Sequence, residues 1–245
     1  MSEAAATASP TIRAIDSAFL LRVFYVFAVL AVLSFGISVG GKWLGRSIAL
    51  AGHTDDPTVR EIVIGNNVIA APANTIRFER QRHDGVATRL DLYLRWPQLD
   101  GYTNAARDDF NNTNGARNIL FLSFEERMMS RDMSGRLEPI YGPMLVRPGL
   151  AGPGGLTLYA FTEKSGYLDE VLAVAAENTG EAFVARCLAG ESATESLAPC
   201  ERDIHVGDIL SLTYRFPREL LGDWQRLDKA IRAKAASMSI LNAGG

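Results

Sequence analysis

The 245-residue chain is poor in the residues that most often carry chemistry: it has two cysteines, three histidines and four lysines. His53, His83 and His205 stand far apart with no ligand spacing, so no metal site is read from them. None of Lys42, Lys164, Lys229 and Lys234 has a serine three residues before it. Lys164-Ser165-Gly166 therefore imitates one box of the acylating-serine enzymes without the S-x-x-K that their chemistry needs, and G-x-S-x-G is missing too. An excess of positive charge is also lacking. Twenty-five basic residues face 28 acidic ones, a net −3, which argues against a nucleic-acid partner. Glu3, Arg13, Asp16 and Arg22 cancel in the first 41 residues, so the rest of the chain carries the negative balance. Such a domain does not cling to an anionic membrane by charge alone.

What is present begins with "RVFYVFAVLAVLSFGISVGGKW", Arg22 to Trp43, uncharged between Arg22 and Lys42. Apolar residues point in every direction, unlike an amphipathic core helix. A cleaved signal peptide would have a shorter apolar core and a nearer small-x-small site than Ala49-Leu50-Ala51. The stretch predicts an uncleaved transmembrane helix over 22–43, after a short cytoplasmic tail (1–21) and before a juxtamembrane linker (44–58). Gly36, Gly41 and Lys42 mimic a phosphate-binding loop, but Trp43 replaces the required hydroxyl and no strand precedes it. Ser34, Gly36, Ser38 and Gly40 place small residues at helical spacing, a face on which membrane helices pair into homo- or hetero-oligomers. The flanking charges do not orient the span.

From residue 59 the period changes to two. "REIVIGNNVIAAP" reads as a hairpin turning at Gly65-Asn66-Asn67. In "TRLDLYLRWP", Leu90, Leu92, Leu94 and Trp96 alternate with Arg89, Asp91, Tyr93 and Arg95, as in an antiparallel sheet with one wet face. "NTIRFERQ", "NILFLSFEER", "RLEPIYGPMLV", "LTLYAFTE", "EVLAVAAE", "EAFVARCL", "DIHV" and "ILSLTYRF" add strand signals. Eight to eleven short strands predict a mainly β domain over 59–245, an antiparallel sandwich or open barrel. It ends in an amphipathic helix, 217–238, with Leu220, Trp224, Leu227 and Ile231 on one face, packed on the sheet.

Two places attract function. The segment 100–118 has no periodicity and holds Tyr102, Asp108 and Asp109, a candidate loop site beside the aromatics Tyr93 and Trp96. Cys187 and Cys200 flank a polar segment that a disulfide would close; two separate buried thiols are the alternative, and zinc lacks further ligands nearby. A disulfide would place the domain outside the reducing cytosol.

The stretches "GHTDDPTVREIVIGNN", "LDLYLRWPQLDGY" and "ERDIHVGDILSLTYRFPRELLGDW" resemble segments of uncharacterised single-pass, membrane-anchored proteins of alphaproteobacteria. The resemblance implies an inner-membrane protein whose C-terminal domain faces the periplasm, and it supplies no catalytic residues. The expectation is a bitopic, non-catalytic, partner-binding component of an envelope assembly with no cofactor. The alternative is a periplasmic enzyme or binding domain acting on cell-wall glycan or lipid.

Overall fold

The computed structural model describes residues 17–50, 52–113, 115–175 and 181–241, with side chains over 21–37, 52–113, 115–175 and 181–238. The chain divides into two compact units, Met1–Ala51 and Gly52–Gly245. The first holds one helix, α1 (Ser17–Leu50), which takes in residues 44–50 of the stretch expected to be a linker.

The structure corrects the membrane reading. Among the described residues, no helix is long and apolar enough to cross a membrane. The expected transmembrane helix, integral membrane partnership and inner-membrane anchor fall with it. The proposed pairing face loses its setting as well. Gly36 has open space around it, and the side-chain positions of Ser38 and Gly40 lie outside the described residues.

The second unit is mainly β, as its alternation predicts. In chain order its strands are β1 (Val59–Ile64), β2 (Asn67–Pro72), β3 (Gly85–Val86), β4 (Arg89–Arg95), β5 (Ile119–Glu126) and β6 (Leu150–Ala151). Then come β7 (Thr157–Ala160), β8 (Glu170–Ala175), β9 (Phe183–Leu188), β10 (Cys200–Val206), β11 (Leu210–Phe216) and β12 (Ser239–Leu241). Short helices α2 (Arg107–Phe110) and α3 (Gly190–Glu195) sit in connections, and α4 (Trp224–Met238) follows β11. Eight strands form one antiparallel sheet in the order β4-β5-β11-β10-β9-β8-β7-β6. A smaller sheet runs β12-β2-β1-β3. The β1–β2 hairpin turns where predicted: Ile64 pairs with Asn67, and Gly65 takes the positive φ (55°) that a two-residue turn needs.

Two strand expectations fail for a visible reason. "NTIRFERQ" forms short helical turns at Ala73–Thr75 and Glu79–Gln81, and "RLEPIYGPMLV" winds helically over 137–144. Pro72 precedes the first, while Pro139 and Pro143 remove ladder donors from the second.

One core lies against one face of the large sheet. Leu90, Leu92, Leu122, Phe124, Leu212 and Phe216 meet Ile62, Ile64 and Ile69 of the small sheet and Trp224, Leu227 and Ile231 of α4. The C-terminal helix therefore packs on the sheet, starting seven residues later than expected because Arg218–Asp223 is a tighter 3-10 turn. A buried charge network fastens it. Arg202 on β10 is 2% exposed, and its Nε donates to Asp228 Oδ1 at 3.0 Å. Its Nη1 donates to the Val184 carbonyl at 2.8 Å. Tyr214 Oη and Arg232 Nε donate to the same carboxylate at 2.6 and 2.8 Å. Burial pushes the Asp228 carboxyl up, but Arg202, Tyr214 and Arg232 outweigh it and hold its pKa below the usual carboxylate value.

On the opposite face the β8–β9 half is covered by a second small cluster, in which Met133, Tyr141 and Leu145 pack on Leu172 and Val184. The β4–β11 half is left open.

Candidate functional site

The strand period of two decides what the open half presents. Along β10, Cys200, Arg202 and Ile204 are buried toward the core, so Glu201, Asp203 and His205 point outward. Along β11, Ser211, Thr213 and Arg215 do the same. Register aligns these residues in rows, Tyr93–Phe121–Arg215–Glu201–Arg186 and Asp91–Ser123–Thr213–Asp203.

Three recesses adjoin here, two along this face and the widest at its β4 edge. A central one of about 520 Å³ is floored by Phe121, Ser123, Thr213 and Arg215. It shares Arg77, Arg89 and Asp91 with a wider recess of about 740 Å³ that includes Phe78, Arg80 and His83. It shares Glu125, Glu201 and Thr213 with a third, of about 310 Å³, rimmed by the exposed Met128 and Met129. The result is one polar trough.

Most carboxylates in the trough are already engaged. Asp91, 9% exposed, accepts from Arg89 Nε at 2.9 Å, from Gln81 Nε2 at 3.1 Å and from the Ser123 hydroxyl. Burial pushes the Asp91 carboxyl up; the hydrogen bonds from Ser123, Arg89 and Gln81 together prevail and leave its pKa lowered. A carboxylate with a lowered pKa is a weak base, so Ser123 gains no nucleophilic activation from it. Arg186 joins Glu170, at 2.6 Å, to Glu201, and Arg136 pairs with Asp203. Among the described residues no group of three or more His, Cys, Asp and Glu is placed to hold a metal ion.

The predicted loop residues are not brought together as a site. Tyr102 is fully buried and stacks on His53, ring centroids 4.7 Å apart and 12° between planes. Phe110 meets Tyr93 and Tyr102 edge-on at 4.9 and 5.5 Å. Asp109 pairs with Arg95 at 3.3 Å, while exposed Asp108 accepts from Thr113 Oγ1 at 3.1 Å. The segment is pinned at Gly101, where a Cβ would stand 2.5 Å from the Asn74 carbonyl oxygen. Beside it Tyr102 N–H donates to Asn74 O, and Asn74 Nδ2 donates back to Tyr102 O. A recess of about 190 Å³ remains next to Phe110, but only Asp109 lines it among the predicted loop residues. Trp96 and His83 lie outside it.

His53 is a key residue that the sequence did not single out. Its Nδ1 lies 3.1 Å from Tyr93 Oη and its Nε2 3.3 Å from Asn111 Oδ1. Burial lowers its pKa and Arg82 adds to this, against the opposing hydrogen bond that Asn111 Oδ1 accepts. Burial also pushes the Tyr93 hydroxyl up, to about 12.

No protein-family model matches the chain, and no curated protein matches it. Among solved structures, an immunity protein of the Stenotrophomonas maltophilia type IV secretion system is similar with 17% identity and a TM-score of 0.48, over 77% of this chain and 95% of that one. The Neisseria meningitidis iron-regulated outer membrane lipoprotein FrpD is similar with 10% identity and a TM-score of 0.42, over 75% and 95%.

Cys187 and Cys200 form a disulfide, as one reading of their spacing expected. They are directly opposite on β9 and β10, so the bond staples the hairpin at its mouth. The segment between them includes α3, and Arg117 Nη2 reaches across to donate to the Thr194 carbonyl at 2.9 Å. Leu197, 40% exposed, stands at the trough wall and also lines the recess beside Phe110.

Arg77 is the other residue missed. It lines the central recess, the wide recess and the one beside Phe110. A signal was available: residues 77–89, "RFERQRHDGVATR", hold four arginines and a histidine.

Proposed function

We propose that the Gly52–Gly245 unit is a non-catalytic domain that binds a protein partner in an envelope assembly, using the outer face of its large sheet. One observation carries this reading. The sheet has one face closed by α4 and the small sheet, while on the other the part not covered by the Met133–Tyr141–Leu145 cluster is an open trough of ordered polar side chains. A trough whose carboxylates are held by arginines suits recognition better than acid–base chemistry. The Cys187–Cys200 disulfide supports a compartment more oxidising than the cytosol.

A photo-crosslinking amino acid placed at Thr213, on the trough floor, tests the proposal in cells, with Lys229 on the exposed side of α4 as control. A discrete crosslinked protein from Thr213 and none from Lys229 is expected. Recovery of the monomer alone from both positions overturns the reading.

A further inference from the structure

The wide recess of the trough has a charge unlike the protein as a whole. Its lining contains Arg77, Arg80 and Arg89 with one carboxylate, Asp91, an excess of two positive charges on a chain whose net charge is −3. Arg89 is committed to Asp91 and Glu125, at 2.9 and 3.5 Å. Arg77 and Arg80 are not. Among the described residues neither guanidinium has a carboxylate partner, and their recorded contacts are with rings. Arg77 lies 5.0 Å from the centroid of Phe78 and 4.8 Å from that of Phe121. Arg80 lies 5.3 Å from Phe78, so one phenyl ring carries two cations. Glu79, between them in sequence, is not part of the lining.

Stacking on an aromatic plane fixes a guanidinium while leaving its donor fork free, and that fork matches carboxylate geometry. Two such forks beside one ring repel each other unless an anion lies between or along them. The space is too large for a single small ion, at about 740 Å³, and it continues into the central recess through Arg77 and Arg89. An extended segment fits that shape. We infer that this recess holds the carboxylate side chains of an acidic stretch of the partner, gripped by Arg77 and Arg80. The inference rests on the reading of the trough as a partner surface and names the chemistry of that partner.

The test uses the full chain and a fluorescein-labelled hexaglutamate peptide, read by fluorescence anisotropy. The R77Q/R80Q variant removes both charges and keeps polar side chains of similar reach. R226Q, on α4 and outside the trough, is the control. The double variant is expected to bind hexaglutamate about 10-fold more weakly or worse, and R226Q as the parent does. Raising ionic strength from about 0.1 M to about 1 M should abolish binding, because the screening length falls from about 10 Å to about 3 Å. Equal binding by R77Q/R80Q and the parent overturns the inference. So does arginine-dependent binding of inorganic phosphate in a solution where hexaglutamate does not bind. Self-association that R77Q/R80Q abolishes would identify a second copy as the occupant and also overturns it.

The two readings fail separately. A Thr213 crosslink that persists while hexaglutamate binding ignores both arginines sinks the acidic segment and keeps the partner surface. Arginine-dependent hexaglutamate binding with no crosslink from Thr213 removes the partner surface and leaves only an anion site.

Discussion

The two faces of the large sheet use the same residue types to opposite ends. On the inner face one arginine, Arg202, is 2% exposed, and each of its recorded partners is a core group: a carboxylate, a carbonyl and the Phe183 ring. Beside the outer face Arg77 and Arg80 are exposed, and among the described residues their guanidiniums meet rings and no carboxylate. A buried charge persists only when its hydrogen bonds are made within the protein, whereas an exposed charge leaves them to water or to a partner. Saturation therefore marks the face that holds the fold together, and the free donor capacity that the proposed recognition needs is confined to Arg77 and Arg80.

The sharpest way to break this contrast is to remove the inner acceptor. Asp228→Ala strands the Arg202 guanidinium and the Tyr214 hydroxyl in the core and should cost about 3–5 kcal/mol. Urea unfolding followed by circular dichroism reads it. A loss under about 1 kcal/mol would mean that water reaches Arg202 and that the inner face is less closed than its burial implies.

Cutting the staple between β9 and β10 comes next. The paired Cys187→Ser and Cys200→Ser substitutions release a loop of 13 residues separation, worth about 3 kcal/mol in the chain-entropy account. Reduction of the parent protein should lower its thermal midpoint similarly and leave the double variant unmoved. An unchanged parent would show that the hairpin ladder holds without the bond.

A smaller effect should follow pH. His53 sits between Tyr93, Tyr102 and Asn111, and burial lowers its pKa from 6.5. Below 6.5 the unfolded chain takes up the proton first, so stability is fully present above that value and is lost as pH falls through the depressed folded pKa. Thermal midpoints taken above and below 6.5 should decline on the acid side, and His53→Gln should remove that part of the slope. An identical slope in the variant would assign the decline to other groups.

How much of this could be read from the chain depends on how local the cause is. The β4 strand, the Gly65 turn, the C-terminal helix and the paired cysteines declare themselves within a few residues each and stand, although Asp91 and Tyr93, expected on the wet face of β4, are buried. The span did not: its helix forms, but among the described residues no helix is long and apolar enough to cross a membrane. The 100–118 segment looked like an open loop because its order comes from His53, 49 residues before Tyr102, and from Asn74. The trough was invisible for the same reason. Arg77, Phe121, Thr213 and Glu201 become neighbours only through the order β4-β5-β11-β10, which no short window encodes.

The smallest expected stability change belongs to the outer arginines, and it bears directly on what they are for. Each stacked guanidinium contributes about 0.5–1 kcal/mol where it is exposed to solvent. Arg77 and Arg80 share Phe78, so their mutual repulsion offsets part of that gain. Arg77→Gln with Arg80→Gln should therefore shift unfolding by no more than about 0.5 kcal/mol, in either direction. The measurement is the urea midpoint at constant slope, taken at low salt, where the repulsion is least screened. A small rise in stability would fit residues kept at some cost to the fold, as expected of a recognition site. A loss above about 2 kcal/mol would make them structural. The contrast between a saturated inner face and an available outer one would then no longer hold.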